Sequence, residues 1–201
     1  MPTARETLLE AAHAAVGKQS WTGVRMVDVA AAAGVSRQTL YNEFGTKEGL
    51  GAALVNRLID GFLDGAVRAA AEAGGGGGGG EDPAASCAGA AAWMLRTARE
   101  EPIVRSALTG CWGRQMPLPA AVEGVSTEVR PGEPGELAGA LCERMVAGLS
   151  PDGQSGKLNP ACEAGLRIAL SFVVAPPVAR GEEDAVGQIR DVVRALLAQS
   201  R

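Results

Sequence analysis

The chain has 201 residues, of which 46% are apolar and 21% charged, and its 19 basic and 23 acidic side chains give a formal charge of -4. That length buries one ordinary core and a small satellite domain, which excludes a large multidomain enzyme. Aromatic residues are only 3% while glycine numbers 28, so packing must run through small and aliphatic side chains, which favours helices over a sandwich or barrel.

Residues 5–16 place Leu8, Leu9, Ala12, Ala15 and Val16 at helical spacing, and Gly17 and Ser20 mark the exit from this first helix. A short apolar run from Met26 to Ala33 predicts a second helix that stops at Gly34. A third starts behind Ser36 with Leu40 and Phe44 four apart. Thr46 caps a fourth, in which Leu50, Leu54, Leu58 and Phe62 recur every fourth residue as far as about Ala73. Some 25 helical residues suffice to bridge two domains.

Gly74 to Gly80 end that helix, because each glycine costs about 1 kcal/mol against alanine in a helix interior. The run reads as a flexible surface loop and not a phosphate cradle, since the lysine and hydroxyl of a P-loop are absent. Further helices are predicted over 84–99, 102–108 and 136–149, with 117–134 mostly loop. The last two fall at 160–174, with Asn159 as the cap, and 183–199, where Val186, Ile189, Val193 and Leu196 form one stripe. Those two helices either close a monomer core or pair with a second copy, where Ala161, Gly165 and Ala169 would permit close approach.

The chain lacks 18 uninterrupted apolar residues, and Arg5, Glu6, Glu10 and His13 occupy the stretch where a signal peptide needs an apolar run. A cytoplasmic protein without membrane segments is expected. Cys87, Cys111, Cys142 and Cys162 lack the close pairs of a zinc or thioredoxin-like motif, and are expected as reduced core or semi-buried residues. The acid is unevenly spread: residues 1–57 hold six basic side chains against five acidic, and the remainder 13 against 18. A nucleic-acid surface therefore belongs to the N-terminal segment and relies on positioned contacts, not on a bulk positive field.

The informative stretch runs from Val29 to Phe44. Its alanines let two helices cross closely, Gly34 permits the tight backbone between them, Val35 plugs the angle, and Ser36 caps the second helix. This describes a helix-turn-helix. With Leu40 and Phe44 inward, Arg37, Gln38, Thr39, Tyr41 and Asn42 take the outer surface, the mixture of donors, acceptors and a methyl group that groove reading needs. Gln38 and Thr39 lead as base-edge readers. Arg37 suits guanine or phosphate, Tyr41 phosphate, and Asn42 either. Lys47 in the first turn of the fourth helix, and Arg25 before the second, are placed to hold phosphates. Singly, each of these residues is an ordinary solvated side chain; together they are specific.

From Thr7 through Leu54 the sequence resembles the DNA-binding domain of TetR/AcrR-type transcriptional regulators. The likeness rests on Ala11-Ala12, Asp28-Val29-Ala30, Ala33-Gly34-Val35-Ser36, Thr39-Leu40-Tyr41 with Phe44, and Lys47-Glu48-Gly49-Leu50. Three positions depart from the family pattern: Val16 stands for phenylalanine, Ser20 for glycine, and Val24-Arg25 for a hydroxyl-bearing pair. Trp21 can replace the lost ring, Ser20 would strain a turn of positive φ, and Arg25 makes a less secure anchor than Lys47.

The expected fold is all-α. A three-helix DNA-binding domain, residues 1–46, is joined by the long fourth helix to a larger helical domain, residues 47–201, for effector binding and dimerisation. The resemblance implies a repressor that binds a palindromic operator on double-stranded DNA as a homodimer through helices near 160–174 and 183–199. A small hydrophobic or aromatic effector would release it by displacing the fourth helix. Candidate effector contacts are the large side chains among small ones: Phe62, Trp93, Met94, Leu95, Trp112, Met116, Met145 and Phe172. Trp93 and Trp112 either fill core or wall a pocket. The single histidine, His13, reads as a partly exposed surface residue. No nucleophile, base and orienter set is present, so no enzyme, cofactor or metal is expected. A helical adaptor that binds no DNA, or a small-molecule binder with another output, remains the alternative.

Overall fold

The computed structural model describes residues 2–75, 82–113, 116–119, 134–149, 156, 158–176 and 181–199. Among these residues all the regular structure is helical. Helices α1 (Ala4–Val16), α2 (Met26–Ala32) and α3 (Arg37–Phe44) form a small N-terminal bundle. Helix α4 (Lys47–Gly74) leaves it and enters a second bundle of α5 (Pro83–Glu100), α6 (Pro102–Thr109), α7 (Pro134–Leu149), α8 (Leu158–Val174) and α9 (Glu182–Ala198). Among the described residues no helix is long and apolar enough to cross a membrane.

Local chemistry explains the helix starts. Thr3 and Glu6 close a capping box on α1, with the Thr3 hydroxyl accepting from the Glu6 amide and the Glu6 carboxylate from the Thr3 amide. Ser36 and Thr46 cap α3 and α4 as expected. Asp82 accepts from the amides of Ala84 and Ala85 ahead of Pro83, and the Ala85 amide holds its carboxyl below the usual range, with Arg194 of α9 helping. Asn159 is not a cap: α8 begins a residue earlier, at Leu158, and the Asn159 carbonyl instead faces the Cys142 thiol at 3.8 Å.

The α4–α5 contact is the spine of the larger unit, and small residues make it close. A Cβ on Gly65 would collide with the Trp93 indole, and one on Gly89 with the Ala69 carbonyl. The same logic corrects the small-residue stripe of α8. Ala161, Gly165 and Ala169 are buried inside the chain, and a Cβ on Gly165 would meet Val193 of α9 at 2.7 Å. The stripe is therefore used up within one copy. On α9 the buried line is Ala185, Ile189 and Val193, whereas Leu196, expected on that stripe, is 37% exposed. Most of the expected 117–134 loop and Gly76 to Gly80 lie outside the described residues.

Candidate nucleic-acid interface and ligand cleft

The turn between α2 and α3 is built as its sequence demands. Gly34 takes φ 69, the left-handed region that a side chain would oppose, and the Val35 amide returns to the Ala30 carbonyl at 3.0 Å. Ser36 Oγ then accepts from the Thr39 amide at 3.0 Å and pairs with the Thr39 hydroxyl at 2.9 Å. Leu40 is fully buried beneath α3. Arg5 of α1 holds the far end, with its guanidinium 4.6 Å from the centre of the Phe44 ring and donating to the Glu43 carbonyl. Arg5 escaped the sequence reading because only the fold brings residues 5 and 44 together.

With both ends pinned, Arg37, Gln38, Tyr41 and Asn42 stand exposed on one outer face, and Thr39 is half-buried beside Ser36. Gln38 donates to the Asn42 side-chain oxygen at 2.8 Å, so the two amides are pre-arranged as one polar unit. Tyr41 is 48% exposed, an apolar ring left in solvent. Lys47 donates from Nζ to the Thr22 carbonyl at 3.1 Å and lies 5.3 Å over the Trp21 ring, which aims its ammonium from the start of α4. Arg25 is placed differently: Asp28 takes both its Nε and Nη2, at 2.7 and 2.9 Å. A phosphate would have to compete with that carboxylate.

Trp21 is buried in the core, and half-buried Val16 packs against that core. Ser20 sits at φ -62, an ordinary extended geometry, so the expected turn strain does not arise.

Among the described residues the effector candidates take different settings. Phe62, Met94 and Met145 are fully buried in the shared core. Trp93 packs on Gly65, donates its indole N–H to the Phe62 carbonyl at 2.9 Å, and carries the Arg96 guanidinium at 5.2 Å. Met116 accepts the Ser106 hydroxyl on its sulfur at 3.0 Å. Trp112 differs: its indole nitrogen is buried without a hydrogen-bond partner among the described residues. Leu95 and Phe172 line a cleft of about 280 Å³ between α5, α6 and the α8–α9 ends, with Ala98 and Val173 on its floor and Arg99 and Arg105 among its polar lining. Arg99 is paired there with Glu182 at 2.7 Å. The lining comes from α5, α6, α8 and α9, which only the fold brings together.

Two contacts made by α4 and one polar link away from it join the units. Arg57 donates to the Glu6 carbonyl, and Gly51 receives the Trp21 ring. His13 Nε2 lies 3.0 Å from Glu101 Oε2, so the histidine faces the α5–α6 junction.

Residues 8–54 match the family described as bacterial regulatory proteins, tetR family. The HTH-type transcriptional regulator AlkX of Mycobacterium tuberculosis (strain ATCC 25618 / H37Rv) is 32% identical over 178 residues, covering 87% of this chain and 77% of that protein. The crystal structure of the TetR family repressor AlkX from Dietzia sp. strain DQ12-45-1b, implicated in biodegradation of n-alkanes, shares 24% identity at a TM-score of 0.59 over 98% of this chain and 96% of that one. The fatty acid degradation regulator FadR from Bacillus halodurans shares 15% identity at a TM-score of 0.51, over 100% and 98% of the two chains. These two structures establish likeness of fold.

Proposed function

Given that this chain belongs to the TetR family of transcriptional regulators, we propose that it is a repressor that binds an imperfectly palindromic operator as a homodimer and leaves it when an apolar small molecule binds the larger unit. The observation that carries the reading is the exposed polar face of Arg37, Gln38, Tyr41 and Asn42 on a helix clamped at both ends, beside an oriented Lys47. One eight-residue helix reads few bases, and two related by a two-fold axis read half-sites about 34–36 Å apart or a multiple of that. Residues 1–46 then act as the DNA-binding unit, residues 47–201 as the effector and dimerisation unit, and the site of action is the cytoplasm. Gln38 and Thr39 read bases, Arg37 and Asn42 bases or phosphate, and Tyr41, Lys47, the Ser36 end of α3 and a displaced Arg25 hold backbone.

For the effector, Trp112 supports a ligand with one acceptor, because a buried indole N–H without a partner costs about 1–3 kcal/mol until one arrives. Phe172 supports an apolar body, and Phe62, Trp93, Met94, Met116 and Met145 supply the surrounding walls that would have to move. The Dietzia relative's implication in n-alkane biodegradation agrees with an apolar effector. Helix α4, 28 residues and about 42 Å long, is the lever from that region to Lys47. Binding that favours one α4 position by differential affinity shifts the half-site spacing.

The test is selection of duplexes from a random pool by the purified chain. An enriched imperfect palindrome is expected, and no enrichment over scrambled duplex, from a folded dimer, would overturn the reading.

A further inference from the structure

Three of the four cysteines do more than fill core. Cys87, in the second turn of α5, and Cys162, in the second turn of α8, are 75 residues apart in the chain and both wholly buried, yet their sulfurs lie 2.8 Å from each other with the Cys87 S–H donating. The spacing of the cysteines in sequence gave no hint of this pair, since helix packing alone creates it. Cys142 of α7 is buried close by and faces the Asn159 carbonyl and side-chain oxygen, so it does not compete for the same contact. Cys111 is exposed, against the sequence expectation that all four would be at least semi-buried.

We propose that Cys87 and Cys162 are a redox pair, which a peroxide converts into a disulfide that ties α5 to α8. The geometry supplies what the reaction needs. A thiolate attacks an oxidised sulfur, so the two must approach along one line without backbone rearrangement, and two sulfurs already closer than van der Waals contact satisfy that. The donated S–H also stabilises negative charge on Cys162, holding its thiol below the ordinary value, whereas Cys87 is pushed up by the same bond and by burial. Either sulfur can react first and the other then resolves it, and the donated S–H favours Cys162 as the first to react.

The steps balance. The Cys162 thiolate attacks the peroxide, the O–O bond breaks, and with one proton the products are a sulfenic acid on Cys162 and one molecule of alcohol or water. Cys87 then loses its proton and its sulfur displaces hydroxide from the sulfenic sulfur, which leaves as water. Two thiols are oxidised and one peroxide reduced. Burial of both sulfurs makes the reaction slow and dependent on a local opening of α5 from α8, which suits a response to sustained oxidant.

The experiment treats the full chain carrying Cys111→Ser with hydrogen peroxide, then alkylates in denaturant and maps peptides without reductant. A peptide containing Cys87 joined to one containing Cys162 is expected, with the intact mass lower by two hydrogens and reversal by dithiothreitol. The unfolding midpoint should rise by about 5–10 °C in the oxidised form. In Cys87→Ser, the sulfenic acid on Cys162 should persist and react with dimedone. Both thiols remaining alkylatable after peroxide, or a Cys142 cross-link in place of the expected one, overturns the proposal.

Discussion

Among the proposed DNA contacts Lys47 has the firmest support, because its ammonium is held by two different parts of the N-terminal unit, the Thr22 carbonyl and the Trp21 ring. Lys47→Ala should weaken binding to operator and scrambled duplex alike, and lower the slope of log affinity against log salt by about one contact, roughly 0.9. Fluorescence anisotropy over a salt series measures both. Gln38 makes the opposite prediction. Gln38→Ala should leave that slope unchanged and cost about 1–3 kcal/mol against one base pair, read as relaxed preference at a single operator position. Equal loss on every duplex would remove Gln38 from base reading. The pairing of Gln38 with Asn42 adds a corollary: Asn42→Ala should disturb the same position, since it frees the Gln38 amide from its partner.

Among the helices, the tightest packing is made by residues with no side chain. At Gly165 a Cβ would press on Val193, so Gly165→Ala should destabilise the chain by up to about 2 kcal/mol, the cost of overpacking less alanine's gain in helix propensity. Val193→Ala in the same chain should return part of that loss, because it removes the obstructing methyls. Urea denaturation of the two single variants and the double variant checks this through the coupling energy. This is also where sequence reading reached its limit. The periods of α1 to α5, the Gly34 turn and the caps at Ser36 and Thr46 were legible, because each depends on neighbours in the chain. The destination of the Ala161, Gly165 and Ala169 stripe was not. A small-residue face states only that something approaches closely, and two partners, α9 or a second copy, fit the same pattern until the fold selects one. Arg5, Glu101 and the Cys87 and Cys162 contact were hidden for the same reason: their partners are 38, 88 and 75 residues distant.

At the scale of the whole molecule, the homodimer proposed above would pair through α8 and α9, where Val174 and Leu196 are partly exposed. Val174 is 61% exposed and Leu196 37%, on the two helices whose other faces are consumed inside the chain. Replacing both by aspartate should give a folded monomer by sedimentation velocity, with helicity retained and operator affinity reduced at least tenfold, because one half-site contact is lost. A double variant that stays dimeric would move the interface elsewhere. The effector residues were the least legible part of the candidate site. Large side chains among alanines mark bulk without saying where it goes: Phe62, Met94 and Met145 are buried in the core, and Leu95 and Phe172 line a cleft.

The His13 and Glu101 contact gives the reading unit a second point of attachment, away from the entry of α4. A body fixed at two points keeps one easy motion, a swing about the line through them, while tumbling is blocked. Both partners are about one-third exposed, and such a pair is worth at most about 1 kcal/mol. The catch therefore sets a default pose but yields cheaply, so a roughly fivefold preference of a ligand for the swung pose is enough to undo it.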